Sequence, residues 1–111
     1  LERLQEVFGY CFVQGREHGG FPRVTPHAIE PFETIQIGEI RVTALPISHG
    51  RAGEIFAFEF EKNGRRAVYA SDCAHIGRES LERMHGCEVF VVDALRHSSH
   101  PNHFNIEGAL G

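Results

Sequence analysis

Three short stretches carry side chains able to hold a metal and to move protons. They are Ile47-Ser48-His49-Gly50, Ser71-Asp72-Cys73 and Asn102-His103-Phe104-Asn105. A carboxylate and neutral imidazoles are suitable ligands for zinc, iron or manganese. A carboxylate such as Asp72 can bridge two ions roughly 3.5–4 Å apart, with the pKa of bound water lowered to about 7. An imidazole that stays off the metal can protonate a leaving oxygen, because its ordinary pKa lies near the working pH. Asp93 closes a further apolar run, Val89-Phe90-Val91-Val92.

Each of these signals is weak when taken singly. A lone His after a strand is seldom a ligand. A strand-end Asp more often caps the next turn, and both Asp72 and Asp93 have that reading. His97 and His100 read as solvated loop residues. His18, His27, His75 and His85 have no partner that the sequence identifies.

The elements that must position these groups are mostly strands. Leu1, Leu4 and Phe8 share one face of a short helix ending at Gly9. Residues 14–23 are loop by composition, and Gly19-Gly20 reads as a bend. From Val24 onward the pattern is β. Thr34 to Ile37 and Ile40 to Leu45 flank Gly38-Glu39, a pair suited to a tight hairpin. Phe56, Phe58 and Phe60 recur at period two on one face of the next strand. Asn63-Gly64 signals a type I′ turn, and residues 65–70 return as the partner strand that delivers Asp72. Residues 79–84 read as a short helix closed by Gly86. Residues 89–92 read as a buried strand. Asn105 is a candidate N-cap for a helix beginning at Ile106.

The bulk composition narrows the function classes. With 111 residues the chain has room for one small domain. At 41% apolar and 23% charged it reads as soluble and globular. No apolar run approaches the ~20 residues of a membrane span, and no signal peptide is evident. The formal charge of −4 gives no support to a nucleic-acid binder. Three widely spaced cysteines, Cys11, Cys73 and Cys87, form no metal-ribbon motif, read as small core residues and fit a reducing cytoplasm.

Taken in order, the motifs resemble a known family. Leu45-Pro46-Ile47-Ser48-His49-Gly50, Ile55-Phe56-Ala57-Phe58, Tyr69-Ala70-Ser71-Asp72-Cys73, Val91-Val92-Asp93-Ala94-Leu95-Arg96 and His103-Phe104-Asn105-Ile106-Glu107-Gly108-Ala109 look like the metallo-β-lactamase superfamily. The branch they resemble most contains the phosphoribosyl cyclic phosphodiesterase of phosphonate breakdown and the zinc-type 3′-processing endonuclease of transfer RNA. The resemblance covers roughly residues 40 to 110.

It implies an α+β fold, part of an αβ/βα sandwich with a mostly antiparallel sheet and short flanking helices. It implies that His49 and Asp72 are metal ligands, Asp72 being the bridging carboxylate. It implies that His103 acts near the scissile phosphate, with Asp93 in support. The implied cofactor is two Zn²⁺ or Mn²⁺ ions per intact domain. The implied substrate is a small cyclic phosphate or nucleotide-like ester. The family's main ligand run, His-x-His-x-Asp-His, does not occur in this chain.

The expectation is therefore a single partial domain over residues 1–111, the C-terminal part of a hydrolase, inactive by itself. Two ligands fall short of the three protein groups of a catalytic zinc. Two other readings stand beside it. One is a binding or regulatory β-rich module that never held metal. The other is a truncated product that covers its exposed sheet by forming a homodimer.

Overall fold

The computed structural model describes residues 2–12 and 24–110. The Gly19-Gly20 bend, the rest of the 14–23 loop and His18 lie outside the described residues. Helix α1 spans Glu2–Val7, and a single 3₁₀ turn follows at Gly9–Cys11. The strands are β1 (Thr34–Ile37), β2 (Ile40–Ser48), β3 (Glu54–Lys62), β4 (Arg65–Ala70), β5 (His75–Ile76) and β6 (Val89–Val92). Helix α2 (Arg78–Met84) lies between β5 and β6, and α3 (Ile106–Leu110) comes last. The regular β pattern begins at Thr34, ten residues later than the sequence suggested.

The strand order is β1-β2-β3-β4-β6, with the short β5 paired to the end of β2. Neighbours are antiparallel except β4 and β6, which are parallel and joined through α2. This is the mixed, mostly antiparallel α+β sheet that the motifs implied. Both hairpins turn where expected. Asn63 and Gly64 have φ of 53° and 76°, the paired positive values that a type I′ turn requires. Strands β2, β4 and β6 all run the same way, because β3 is antiparallel to both β2 and β4. Their C-terminal ends therefore open on one edge of the sheet.

Leu45, Ile47, Ala57, Val68, Ala70, Cys73 and Met84 form the core on the face covered by α2. Fully burying a side chain such as Leu45 or Val68 stabilises by about 1.5–3 kcal/mol. Helix α2 is pinned there by the Ser80 hydroxyl, which donates to the Pro46 carbonyl at 2.7 Å. An ion-pair cluster holds its other end. Glu59, 1% exposed, accepts from Arg66 of β4 at 2.9 Å and from Arg83 of α2 at 3.0 Å. Arg66 also donates to the carbonyls of Arg83 and His85.

The opposite face is apolar and only partly covered, with Val42 and Ala44 of β2 buried on it. Ile35, Phe60, Tyr69, Val89 and Val91 are all exposed along it. This corrects the reading of 89–92 as a buried strand, since β6 is the sheet's edge and α2 shields only one side of the sheet. Helix α1 forms, but Leu4, Val7 and Phe8 are exposed. Of the cysteines only Cys73 is buried; Cys11 and Cys87 are half-buried.

Burial, and then the Asp93 charge, push the Cys73 thiol up to about 11, against a lowering backbone hydrogen bond at His75. An unfolded chain releases this proton near the ordinary value of 9.0. The native state thus holds the extra proton, and stability falls as pH rises from 9 to about 11. Urea midpoints across that range should decline, and part of the slope should vanish in Cys73→Ala.

Candidate metal centre

The three strand ends deliver the site. His49 follows β2 directly, Asp72 lies two residues beyond β4, and Asp93 follows β6 directly. His103 comes from the loop between β6 and α3. That loop is tied back by the Phe104 N–H, which donates to the Cys73 carbonyl at 2.6 Å, and by the Leu95 N–H, which donates to the Phe104 carbonyl at 3.1 Å. Asn105 caps α3 as expected, its Oδ1 accepting from the Gly108 N–H at 2.9 Å.

The result is one cluster. Donor atoms of His49, Asp72 and His103 all lie within 4.8 Å of one another. The two imidazoles meet edge to face, with ring centroids 4.8 Å apart. Asp72 has a φ of 56°, a left-handed backbone that Asp tolerates better than most residues. That backbone leaves the carboxylate 61% exposed at the mouth of the cluster.

Asp93 serves two partners. Its Oδ1 accepts the Cys73 N–H at 2.9 Å, and its Oδ2 lies 2.6 Å from His103 Nδ1. The cap on the turn at Cys73 is thus Asp93, and Asp72 remains available to the cluster. A carboxylate accepts, so His103 carries its proton on Nδ1 and keeps Nε2 outside that bond. His49 is fixed in the same way, its Nδ1 lying 2.8 Å from the Asn102 carbonyl oxygen. A carbonyl can only accept, so the His49 lone pair is on Nε2. Donation of the other ring N–H to a backbone carbonyl or carboxylate is the usual support of a metal-binding imidazole. One carboxylate oxygen and a free imidazole nitrogen, with a second imidazole beside them, fit a divalent ion of the zinc or manganese kind.

Two residues in this neighbourhood were not read from the sequence as site groups. His100 is half-buried, and its ring packs on His103 with centroids 5.0 Å apart. Partial burial, then Arg96 and the His103 and His49 rings, push its imidazole below the ordinary value. Asn102 joins the loops through backbone and side chain together, which no residue-type pattern signals. His97 is exposed, in line with the sequence reading. Arg96 donates to the Ser99 carbonyl at 2.8 Å, and Arg51 is exposed. A cleft of about 500 Å³ lies beside the His49 turn, lined in part by Phe32, Ser48, Glu54, His75 and Arg78. Its lining includes none of the cluster residues.

Comparison with known proteins bears on the family and the fold. The family model described as the beta-lactamase superfamily domain matches residues 1–111. The chain is similar to a solved structure described as a new diphosphatase from the PhnP family, with a TM-score of 0.77 and 29% identity over 98% of this chain. It spans only 37% of that protein's length. A second similar structure is Zn²⁺-bound PqqB from Methylobacterium extorquens, with a TM-score of 0.55 and 18% identity. The match covers 75% of this chain and 38% of PqqB, and it bears on the fold alone. No curated protein matches the chain. No helix among the described residues is long and apolar enough to cross a membrane.

Proposed function

The chain belongs to the metallo-β-lactamase superfamily, and on that premise we propose that it supplies part of the active site of a metal-dependent phosphoric diester hydrolase. The observation that carries this reading is the convergence of His49, Asp72 and His103 within 4.8 Å, with Asp93 seated on His103. In this reading His49 Nε2 and an Asp72 oxygen are metal ligands. When bound, Zn²⁺ or Mn²⁺ supplies Lewis acidity toward a phosphoryl oxygen and a nucleophile at neutral pH.

The chain's own residues do the rest. Asp72, exposed at the mouth, would offer its carboxylate oxygens to the metal. Asp93 holds the His103 ring in one orientation and one tautomer. His103, as the imidazolium with its Nδ1–H held by Asp93, then gives its Nε2 proton to the leaving oxygen and is left neutral, and the Cys73 N–H keeps Asp93 in place. The substrate we favour is a small cyclic phosphate or nucleotide-like ester, on the ground of the diphosphatase likeness and the net charge of −4. Two metal ligands fall short of the three protein groups of a catalytic zinc, so in this reading these residues by themselves bind metal weakly and do not turn over.

Paramagnetic Mn²⁺ tests this reading on the chain itself. Added in small amounts, it should broaden the nuclear magnetic resonance signals of His49, Asp72 and His103 before all others, and Asp72→Asn should abolish the selectivity. Broadening centred on another acidic group, or unaffected by Asp72→Asn, would refute it.

A further inference from the structure

We propose that Asn102 is the positioning residue that sets the His49 tautomer and so aims the Nε2 lone pair at the metal. The proposal rests on the metal reading of His49 and adds a residue to it. Asn102 makes three hydrogen bonds in one half-buried turn. Its carbonyl oxygen accepts His49 Nδ1–H at 2.8 Å. Its side-chain Oδ1 accepts the Arg51 N–H at 3.2 Å. Its own N–H donates to His100 Nδ1 at 3.2 Å.

Each bond constrains a different degree of freedom. The Oδ1 bond ties Asn102 to the chain two residues past His49, so the two loops move as one. The bond to His100 holds the Asn102 N–H, which fixes where the residue's backbone points. Together they hold Asn102 where its carbonyl faces His49. The contact is close enough to demand glycine at position 50. A Cβ there would lie 2.2 Å from the Pro101 oxygen and 2.8 Å from Asn102 Oδ1. Gly50 also has a φ of 58°, which glycine adopts without strain.

Free imidazole in water exchanges its proton between the two nitrogens. Without a fixed acceptor on Nδ1, part of the His49 population would carry the proton on Nε2, where it blocks coordination. Removing such an outer partner costs typically 10–100-fold in metal affinity. The Asn102 side chain acts at one remove, since the acceptor itself is backbone and survives truncation.

The tautomer can be read directly by long-range ¹H–¹⁵N correlation on metal-free protein, at about pH 8 where an ordinary imidazole is neutral. The unmodified chain should show His49 protonated on Nδ1. Asn102→Ala should shift His49 toward the mixed or Nε2–H pattern and weaken Mn²⁺ binding about 10-fold, while His85 keeps its own pattern. Asn102→Asp, which retains the Oδ1 acceptor, should restore the Nδ1–H form.

A His49 found as Nε2–H in the unmodified chain overturns the proposal even if Asn102→Ala fails to fold. So does a folded Asn102→Ala chain with an unchanged tautomer. Because the tautomer is read without metal, it is independent of uptake. A chain that ignores Mn²⁺ but loses Nδ1–H in Asn102→Ala refutes the metal reading and supports the role of Asn102. Selective Mn²⁺ broadening with an indifferent tautomer does the reverse.

Discussion

Arg66→Ala should cost the fold about 3 kcal/mol, and Glu59→Gln distinctly less. The two replacements break the same ion pair, and burial decides which is worse. The Glu59 side chain is 1% exposed, whereas those of Arg66 and Arg83 are 25% and 44% exposed. Without Arg66 a carboxylate inside the molecule keeps only Arg83 as counter-charge. The carbonyls of Arg83 and His85 lose their donor as well. A buried charge left short of partners is the expensive outcome. Without the Glu59 charge, the two guanidiniums can turn toward water, and the Gln amide still offers an acceptor. Urea unfolding of the two variants checks the order. Equal losses, or a larger loss for Glu59→Gln, would show that the cluster is better hydrated than its geometry implies.

The second large effect concerns chemistry. In an active protein that contains this segment with a complete ligand set, His103→Ala should lower kcat by about 10²–10⁴-fold, the usual range for losing a positioned acid or base. KM should change far less. Asp93→Asn should give a smaller loss of the same kind, since it leaves the imidazole present but removes the carboxylate that orients it at 2.6 Å. A phosphodiester with a very good leaving group, such as a nitrophenolate, should recover most of the His103→Ala loss, because that oxygen departs without a proton. If the loss were the same for good and poor leaving groups, His103 would not be the proton donor, and a role as metal ligand would account for the data.

Much of this fold was legible in the sequence, for identifiable reasons. Asn63-Gly64 and Gly38-Glu39 mark turns through backbone preferences that tertiary context seldom overrides. Strand-end groups could be named because runs such as 40–48 and 65–70 stop sharply at polar residues. That those ends share one edge follows from strand direction, which single strands do not reveal. It needed the parallel pairing of β4 with β6.

Burial was less legible. The apolar run at 89–92 suits a central strand as well as an edge strand, and only the sheet order separates them. Phe56, Phe58 and Phe60 draw the eye to one face of β3, yet the tighter core lies on the other, around Ala57 and Glu59. A charged residue in an alternating strand reads as solvent-facing, so the buried Glu59 cluster was missed. Its partners, Arg66 and Arg83, are 7 and 24 residues away.

In the site, His49, Asp72, Asp93 and His103 carry their chemistry in their side chains and could be singled out by type. Asn102 gives His49 a backbone carbonyl, and every residue has one. His100 was assigned to solvent because loop composition says nothing of how a loop folds back. These groups become visible only when distances are known.

In the proposed reading His49 and Asp72 share a divalent ion beside His103. The most direct measurement is a crystal of the chain soaked in Zn²⁺, with anomalous differences collected at the zinc edge. A peak is expected about 2.0–2.2 Å from both His49 Nε2 and an Asp72 oxygen. Zinc found only at other surface histidines or carboxylates, with this cluster empty at saturating metal, would contradict it.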